Sequence, residues 1–453
     1  MIEALSPVLD RRRAGALLHL TSLPAALGAG GRSFVDWLAE AGFSVWQFLP
    51  LGPTGASGSP YWVRSDAAGN ASLIDPHEQP PPGTAEYQSF VAGSREWLED
   101  YACFEVLSRL HAGSPWWSWA EAYRDRQPAA LAQLRREHAA ALEEVRRQQF
   151  AFDWQWNRLR SHARARGVLL FGDLPFYVAP DSVETWAHRE QFQLDSSGRA
   201  LAVGGVPPDY FSSLGQLWGN PLYDWNVMLE DRFTFWRARI KRQLARVDLL
   251  RLDHFRALAA HWAVPAGAPD ARSGAWRRTP GRALLSVLRA ELPTLPLVAE
   301  DLGIITPDVI DLRRSFALPG MRVLQFAFDG DGRNQHLPHM HERDCVVYTG
   351  THDNDTTLGW YTSLDAESAR RVDFMLQLTP GAMPEALIRA TLGSVGALAV
   401  LPLQDVLGLG SQARLNTPAT TQGNWEWRLP ARALTAELAA HYQRINRAYG
   451  RCP

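Results

Sequence analysis

Eight short apolar runs, each followed by polar residues or glycine, constrain the fold of this chain more than any other feature. They are Ala16–His19, Val45–Leu49, Val168–Asp173, Leu249–Asp253, Leu297–Glu300, Val323–Phe326, Val346–Tyr348 and Leu398–Leu401. Runs of this length are typical of buried parallel strands, and helical patterns such as Ser33–Ala41, Pro307–Phe316 and Ala366–Leu376 lie between them. The alternation predicts an α/β fold, a (β/α)₈ TIM barrel, with a doubly wound parallel sheet as the alternative.

Two long intervals interrupt the regular spacing of these runs. About a hundred residues separate the second run from the third, and they include a helical stretch rich in Ala, Arg, Glu and Gln from Pro128 to Arg166. We therefore expect a mostly helical insert over residues 61–165, on the rim of a barrel formed by residues 1–60 and 166–453. The second interval, Phe176–Val247, follows the third run. We expect a long aromatic loop region there, since structureless loops of this length are uncommon unless they are functional.

The composition excludes several classes of protein. The formal net charge is −2, whereas a surface that binds nucleic acid normally carries a basic excess. The longest apolar stretch, near Val395–Leu403, is too short to cross a bilayer, and the N-terminus lacks the apolar core of a signal peptide. Cys103, Cys345 and Cys452 are too widely spaced for a disulfide framework or a metal site. The sequence therefore predicts a cytoplasmic protein with reduced thiols that binds neither nucleic acid nor membrane.

Tryptophan is unusually frequent, with 18 residues in the chain. Several tryptophans lie in polar segments rich in Gly and Pro: Trp62, Trp218, Trp225, Trp425 and Trp427. An indole combines a flat apolar face with a polar edge, which suits a ligand that is part apolar and part hydroxyl, such as a sugar. The alternative is that about half of the tryptophans only fill the core.

Carboxylates follow three of the predicted strands. Asp253 and Glu300 end two consecutive apolar runs, and Asp353 follows a third run together with His352. In a parallel barrel the strand ends meet at one rim, where the chemistry is located, and two acids there are the minimum needed to cleave a glycosidic bond. Each acid could instead cap the helix that follows its strand. A metal site at His352–Asp355 is also conceivable, but one histidine is weak support for it, and we expect no metal.

Longer motifs run through nearly the whole chain outside the helical insert. They are Thr21–Pro24, Trp46–Thr54, Ser59–Tyr61, Gly172–Pro175, Gly205–Phe211, Gly215–Pro221, Arg251–Arg256, Ala299–Gly303, Thr349–Trp360, Ala413–Asn416 and Gly423–Trp425. In these motifs the chain resembles the amylomaltases, which are 4-α-glucanotransferases (disproportionating enzymes) related to the α-amylases. The resemblance implies transfer of α-1,4-glucan segments from a maltooligosaccharide donor to an acceptor, by a retaining double displacement without a cofactor. We expect a monomer or a weak homodimer.

The resemblance also implies roles for individual residues. It makes Asp253 the nucleophile, Glu300 the acid/base and Asp353 the stabiliser of the transition state. It places further residues at the substrate: Tyr61, Asp173, Pro208, Asp209, Tyr210, Phe211, Trp218, Arg251, His254, His352 and Asn416. The two histidines could instead be structural residues.

The chemistry of the residues agrees with the roles of the first two acids. Arg251 lies two positions before Asp253 and therefore on the same face of the strand, where its positive charge should keep Asp253 ionised. Glu300 ends a very apolar strand, and partial desolvation there should raise its pKa toward the working range of an acid catalyst.

The aromatic segment Gly204–Trp225 bears on the fate of the intermediate. Its aromatic side chains could cover the acceptor side of the site, and exclusion of water decides whether a sugar hydroxyl or water releases the glycosyl group. The resemblance favours transfer. A hydrolase of the same substrates and a non-catalytic carbohydrate-binding protein are the alternatives.

Five residues at four places in the sequence depart from the usual pattern of the family. Trp62 replaces a glutamine after Ser-Pro-Tyr, and Pro180 replaces a histidine. Ala257-Leu258 replaces Gly-Phe, and Ala263 replaces a glutamate. None of these changes affects the three acids, so we expect a shifted chain-length preference rather than a loss of activity.

Overall fold

The computed structural model describes residues 9–81, 83, 85–208 and 212–453. In chain order the strands are β1 (Arg13–Leu17), β2 (Val45–Gln47), β3 (Leu169–Leu174), β4 (Ala202–Val206), β5 (Gln216–Pro221), β6 (Leu249–Leu252), β7 (Ala260–Pro265), β8 (Ala275–Arg278), β9 (Leu297–Ala299), β10 (Gly320–Val323), β11 (Cys345–Tyr348) and β12 (Leu398–Pro402). The α-helices are α1 (Ala29–Glu40), α2 (Ala85–Gly93), α3 (Arg95–Leu110), α4 (Glu121–Arg124), α5 (Pro128–Glu137), α6 (Ala139–Ala165), α7 (Val183–Ala187), α8 (Trp225–Glu230), α9 (Thr234–Arg246), α10 (Gly281–Glu291), α11 (Pro307–Ser315), α12 (Thr357–Ser363), α13 (Ala366–Leu376), α14 (Glu385–Gly393), α15 (Leu403–Val406) and α16 (Ala436–Ala448).

Eight parallel strands form a nearly closed barrel. Their spatial order is β10-β11-β12-β1-β2-β3-β6-β9. The outermost two strands, β9 and β10, approach each other, and the amide of Ala299 donates to the carbonyl of Pro319 over 2.8 Å. The predicted (β/α)₈ barrel is confirmed, and each predicted apolar run overlaps one of its strands, although the first strand begins at Arg13, before the predicted Ala16.

The sixth strand is displaced from its predicted position. The run Val323–Phe326 begins at the last residue of β10, and Leu324–Phe326 form a 3₁₀ turn. Leu324 is buried outside the sheet, in an apolar cluster with Val347 and Leu387. The sequence pattern was wrong here because the apolar stretch continues beyond the strand to fill this neighbouring cluster.

Alternation along the strands decides which side chains point into the barrel. Phe171 of β3, Leu249 of β6 and Val298 of β9 belong to one interior cluster. Leu170 and Leu250, which neighbour two of these residues in sequence, pack instead into the large cluster that includes buried residues of α1 and α10. Side chains two positions apart share a face. The interior face at the carboxyl ends of the strands therefore receives Asp173, Arg251, Asp253 and Glu300.

The region between β2 and β3 is helical, as predicted. It contains α2 to α6, with a break at His138 between α5 and α6. Phe152, Trp156 and Leu159 of α6 lie in the same cluster as the buried face of α1, whereas Leu142 and Val145 lie in a separate cluster with α3 and α5. One helix is therefore shared by both apolar clusters. The division into a barrel (1–60 and 166–453) and an insert (61–165) remains a prediction.

The segments after β3 and after β6 contain regular structure that the sequence patterns did not reveal. A second, antiparallel sheet has the order β5-β4-β7-β8, and the register of β4 against β5 shifts between Val203 and Gly205. Glycine is disfavoured in strands, so the Gly204-Gly205 pair concealed β4. A side chain at Gly205 would collide with the carbonyl of Gln216, at 2.4 Å from its Cβ position, which explains why glycine fits there.

In the part of the chain that the structure describes, no helix is both long and apolar enough to cross a membrane.

Candidate active site

Arg251 is the centre of the polar layer at the carboxyl ends of the barrel strands. Its Nη1 donates to Asp173 Oδ2 over 2.6 Å, and its Nη2 donates to Asp253 Oδ1 over 2.8 Å. The Asp173 side chain is fully buried, and the phenol of Tyr61 donates to the same Oδ2 over 2.6 Å. One buried guanidinium therefore orients two carboxylates, and the tyrosine is tied to the strand face by the first of them.

Glu300 is held by backbone amides on both of its carboxyl oxygens. His254 N donates to Oε2 over 2.8 Å, and Leu302 N donates to Oε1 over 2.9 Å. The backbone of His254 is left-handed, with φ 49°, and this turn directly after Asp253 brings the amide of His254 toward β9. The orientation of Glu300 is thus fixed by the chain segment that carries Asp253.

Asp253 and Glu300 occupy equivalent places on neighbouring strands. Leu252 pairs with Ala299 in the β6–β9 ladder, so the two acids follow paired residues. The amide of Glu300 still donates to the carbonyl of Leu252 over 3.1 Å. Neighbouring strands lie ~4.8 Å apart, and the carboxyl groups therefore emerge next to each other on the interior face.

Burial raises the pKa of both acids. For Glu300 the rise is opposed by Arg251 and by the two backbone amides, and the predicted direction is confirmed. For Asp253, Arg251 lowers the pKa as expected, but burial outweighs it, and Asp173 and Glu300 raise the pKa further. The expectation that Arg251 keeps Asp253 ionised is therefore wrong. The carboxyl groups of Asp173, Asp253 and Glu300 lie near the single guanidinium of Arg251. This excess of carboxyl groups favours one proton shared between Asp253 and Glu300.

Asp353 lies on the loop after β11 and is held by side chains from other loops. Asn416 Nδ2 donates to its Oδ1 over 2.7 Å, and Arg414 Nη2 donates to its backbone carbonyl over 2.7 Å. His352 Nε2 lies 3.3 Å from the same Oδ1. The Asp353 side chain is 45% exposed, whereas that of Asp253 is 28% exposed. The third acid thus faces the open side of the site.

Tyr61 connects the two parts of the site. Its ring stacks on His352, with 5.2 Å between centroids and 17° between planes, while its phenol contacts Asp173. Trp425 contacts both rings, with centroids 6.1 Å from Tyr61 and 6.1 Å from His352. Trp425 is not among the site residues that the sequence predicts, although it lies in one of the motifs and among the tryptophans in polar surroundings.

A second aromatic group lies beside His254. Its imidazole makes a T-shaped contact with Trp218 of β5, with 4.7 Å between centroids and 83° between planes, and the ring centroid of Tyr177 lies 6.4 Å from that of the imidazole. Burial lowers the pKa of His254 to about 3, so the ring is neutral. Tyr177 was missed because it follows β3 in an apolar segment that resembles core.

The remaining predicted residues are less informative. Pro208 is exposed, two residues after β4. Asp209, Tyr210 and Phe211 lie outside the described residues. Trp62, one of the departures from the family pattern, lies beside β5: a Cβ atom at Gly219 would stand 3.8 Å from its ring. The structure thus gathers Tyr61, Asp173, Arg251, Asp253, His254 and Glu300 with Trp218, and Tyr61 links them to His352, Asp353 and Asn416.

Known proteins resemble this chain over almost its whole length. The sequence model of the family described as 4-alpha-glucanotransferase matches residues 18–81 and 77–435. A 4-alpha-glucanotransferase of Thermus thermophilus is 43% identical over 496 residues, which cover 96% of this chain and 98% of the relative. One of Synechocystis sp. is 40% identical, with 98% and 99% covered. The structure of an amylomaltase from Streptococcus agalactiae in complex with acarbose superposes with a TM-score of 0.92 at 31% identity, covering 98% of this chain and 100% of that chain.

The alignments also show where this chain is shorter. The Thermus alignment spreads 96% of the 453 residues, about 435, over 496 positions, so about 60 positions of the alignment have no counterpart here. The family match divides into two parts that meet at residues 77–81, which locates a break directly before α2. Apart from this gap, family match, relatives and superposition agree across the barrel and the site. This chain belongs to the 4-alpha-glucanotransferase family.

Proposed function

We propose that this protein transfers α-1,4-glucan segments between maltooligosaccharides, with Asp253 as nucleophile, Glu300 as acid/base and Asp353 as transition-state stabiliser. The observation that supports the proposal most is the placement of Asp253 and Glu300 on paired strands, with the first held by Arg251 and the second by backbone amides. Two adjacent carboxyl groups of this kind are the equipment of a retaining reaction.

In the first half-reaction, Asp253 attacks the anomeric carbon of the donor. Arg251 occupies Oδ1, and no donor among the described residues reaches Oδ2, so Oδ2 is the attacking atom. As the carbon–oxygen bond to the leaving glucan breaks, Glu300 transfers its proton to that glycosidic oxygen. The products are a glycosyl ester on Asp253, an ionised Glu300 and a shortened chain with a free hydroxyl.

In the second half-reaction, a hydroxyl of the acceptor glucan attacks the same carbon. Glu300 now accepts the hydroxyl proton, and the ester bond to Asp253 breaks, which restores both side chains. Two inversions at one carbon retain its configuration. The proton that the pair holds in the free site is thus the proton that the reaction passes through Glu300.

Asp353 acts on the charge that develops at the sugar ring. Asn416 holds its Oδ1, and the exposed side chain leaves its other oxygen available for sugar hydroxyls. A carboxylate beside an oxocarbenium-like transition state lowers its free energy electrostatically. Tyr61 and His352 form a flat stacked pair next to Asp353, which supports stacking of the donor sugar on the tyrosine.

Water must be kept from the glycosyl ester if transfer is to prevail over hydrolysis. Trp218 and Tyr177 line the side of His254, and an apolar wall there favours a bound sugar over water. This arrangement supports transfer.

We further infer the setting in which the enzyme works. The site uses only side chains and backbone amides, and it needs no cofactor. The formal net charge of −2 disfavours nucleic acid as a partner. The three cysteines are free, which fits a cytoplasmic protein. A monomer or weak homodimer that does not bind membranes is the assembly we propose.

Incubation with maltotriose, followed by chromatography of the products, tests the activity. We expect glucose together with oligomers longer than maltotriose, which only transfer produces. Shortening alone would indicate a hydrolase, and an unchanged substrate would leave a binding protein. The Asp253→Asn variant should lose turnover by about 10⁴-fold or more while it still binds substrate. Full activity of this variant would contradict the assignment of the nucleophile.

A further inference from the structure

We propose that a groove between α2 and α6 binds a stretch of α-glucan chain outside the active site. The groove has a volume of about 860 Å³ and is lined by Phe90, Phe150, Asp153, Trp154 and Asn157, among others. The proposal rests on the proposed function, since the ligand is the same class of polymer. It goes further because none of these residues belongs to the catalytic rim.

The apolar part of the groove offers flat aromatic surfaces. Trp154 and Phe90 are both partly exposed. The guanidinium of Arg158 lies 4.6 Å from the Trp154 ring centroid, and Phe90 lies 5.6 Å from Phe150, which is buried. The rings are therefore held in place before any ligand arrives. Pyranose rings have apolar faces that pack on such surfaces.

The polar part of the groove has an acceptor without a complete set of partners. Asp153 Oδ2 accepts a hydrogen bond from Asn157 Nδ2 over 2.9 Å. Within the described part of the chain, no group donates to Asp153 Oδ1. Asp153 is half-buried beside Trp154, and its free oxygen is accessible from the groove, where burial of the rest of the side chain raises its pKa. A glucose hydroxyl would supply the missing donor.

The groove adjoins the place where this chain is shorter than its relatives. The family match divides at residues 77–81, and α2 begins at Ala85. As far as the structure describes it, α2 contributes no buried residue. Phe90 of α2 and Trp154 of α6 both remain partly exposed beside this point.

The charges on the walls favour a sugar polymer over a second protein chain. Arg32, Glu86, Asp153 and Arg158 line the groove together with His162. Carboxylates such as those of Glu86 and Asp153 are depleted in the centres of protein interfaces. The same groups donate to and accept from sugar hydroxyls, so the mixture of aromatic and charged residues suits a glucan.

A second attachment point matters only for substrates long enough to use it. When one part of a polymer is bound in the groove, other segments of the same molecule experience a higher effective concentration near the barrel. Maltotriose is too short to gain from this effect, whereas branched glycogen carries many chains per molecule. The groove should therefore favour polymeric donors selectively.

The test compares Trp154→Ala with the control Phe374→Ala, which removes an 83% exposed aromatic ring on α13, away from the groove. Both changes are made in the full chain with Asp253→Asn, and binding to glycogen is measured by the retardation of migration in native gels. We expect Trp154→Ala to weaken glycogen binding roughly fivefold or more and Phe374→Ala to leave it unchanged. Equal retardation of the two variants would overturn the proposal.

Activity assays separate this proposal from the catalytic one. In the chain with Asp253 restored, Trp154→Ala should lower the rate on glycogen and change the rate on maltotriose less than twofold. If the unsubstituted protein produces no transfer products from maltotriose, the proposed function fails, but the gel measurement still decides on the groove. A dimer in sedimentation that Trp154→Ala dissociates would overturn the glucan proposal in favour of a contact between two copies.

Discussion

The two sides of the active site are built in different ways. Asp253 and Glu300 extend neighbouring strands, and their carboxyl groups are held by a buried guanidinium and by backbone amides. Asp353 lies on a loop, is more exposed, and relies on Asn416 and Arg414 from another loop. In the proposed mechanism the two acids that form and break bonds are thus fixed by the barrel, whereas the acid that stabilises the developing charge is positioned by loop packing.

The largest effect on activity is expected at Glu300, on the strand side of the site. The Glu300→Gln variant keeps the acceptor for one backbone amide but has no proton to give, and we expect kcat/KM for maltotriose to fall about 10³-fold. A donor such as α-glucosyl fluoride, whose leaving group needs no proton, should recover much of the first step.

The exposed Glu367 provides the matched control for this experiment. Its side chain is 71% exposed on α13, so Glu367→Gln should behave like the unsubstituted protein with both donors. An equal loss of Glu300→Gln on maltotriose and on the fluoride would contradict the role of acid.

The pH dependence of kcat/KM tests the protonation of Asp253 and Glu300, the two acids on the strand side of the site. In the proposed mechanism Asp253 must be ionised, so the rate rises as pH climbs through the pKa of the nucleophile. Glu300 must be protonated, so the rate falls as pH climbs through the pKa of the acid. Burial raises both values, and both limbs of the kcat/KM profile should lie above the ordinary range of about 4.

Because the two carboxyls interact, the limbs belong to the pair rather than to either residue. In Glu300→Gln the basic limb should disappear. A kcat/KM profile of the unsubstituted protein that stays flat from pH 4 to pH 9 (roughly five tenfold changes in proton activity) would contradict a proton shared by Asp253 and Glu300.

On the loop side the expected effect is smaller. Asn416→Ala removes the hydrogen bond to Asp353 Oδ1, and the loss of one bond to a charged group should lower kcat/KM for maltotriose about tenfold. The positions of both pH limbs should stay unchanged, since Asn416 touches neither member of the pair. A loss as large as that of Glu300→Gln would show that the two sides are equally rigid.

The smallest effect is expected at Trp62, which lies outside both sets of acids. Trp62→Gln restores the residue that the family usually has there. The ring lies beside Gly219 of β5, so its removal should alter the ratio of rates on maltoheptaose and maltotriose by about threefold, without changing the pH profile. An unchanged ratio would mean that Trp62 does not contact the donor or the acceptor.

Much of the barrel could be predicted because its strands are buried on both faces. That environment leaves a continuous apolar run with a polar end, and this pattern located β6 and β9 together with Asp253 and Glu300. The antiparallel sheet left no such signal, since Gly204 and Gly205 interrupt β4. The end of β10 was predicted wrongly for the opposite reason. Leu324 is apolar, but it packs in a different cluster outside the sheet.

The site was predictable in its members but less so in its contacts. The amide of His254 reaches Glu300 only because the backbone turns left-handed after Asp253, and no sequence pattern reports that turn. The net pKa of Asp253 depends on Asp173 and Glu300 as well as on Arg251. These electrostatic contributions depend on distances in the folded protein, which the sequence patterns do not give. The groove along α6 was not foreseen at all, because Trp154 and Trp156 look alike in sequence although only the second is fully buried.

Helix α6 belongs to both apolar clusters, and this limits how the molecule can move. Its 27 residues span ~40 Å as a continuous rod, with one end packed against α1 and the other among α3 and α5. The region of α2 to α5 cannot swing open like a hinged cover unless this rod bends or breaks. Any movement that admits or releases a long chain is therefore expected in the surface loops rather than in this helical region.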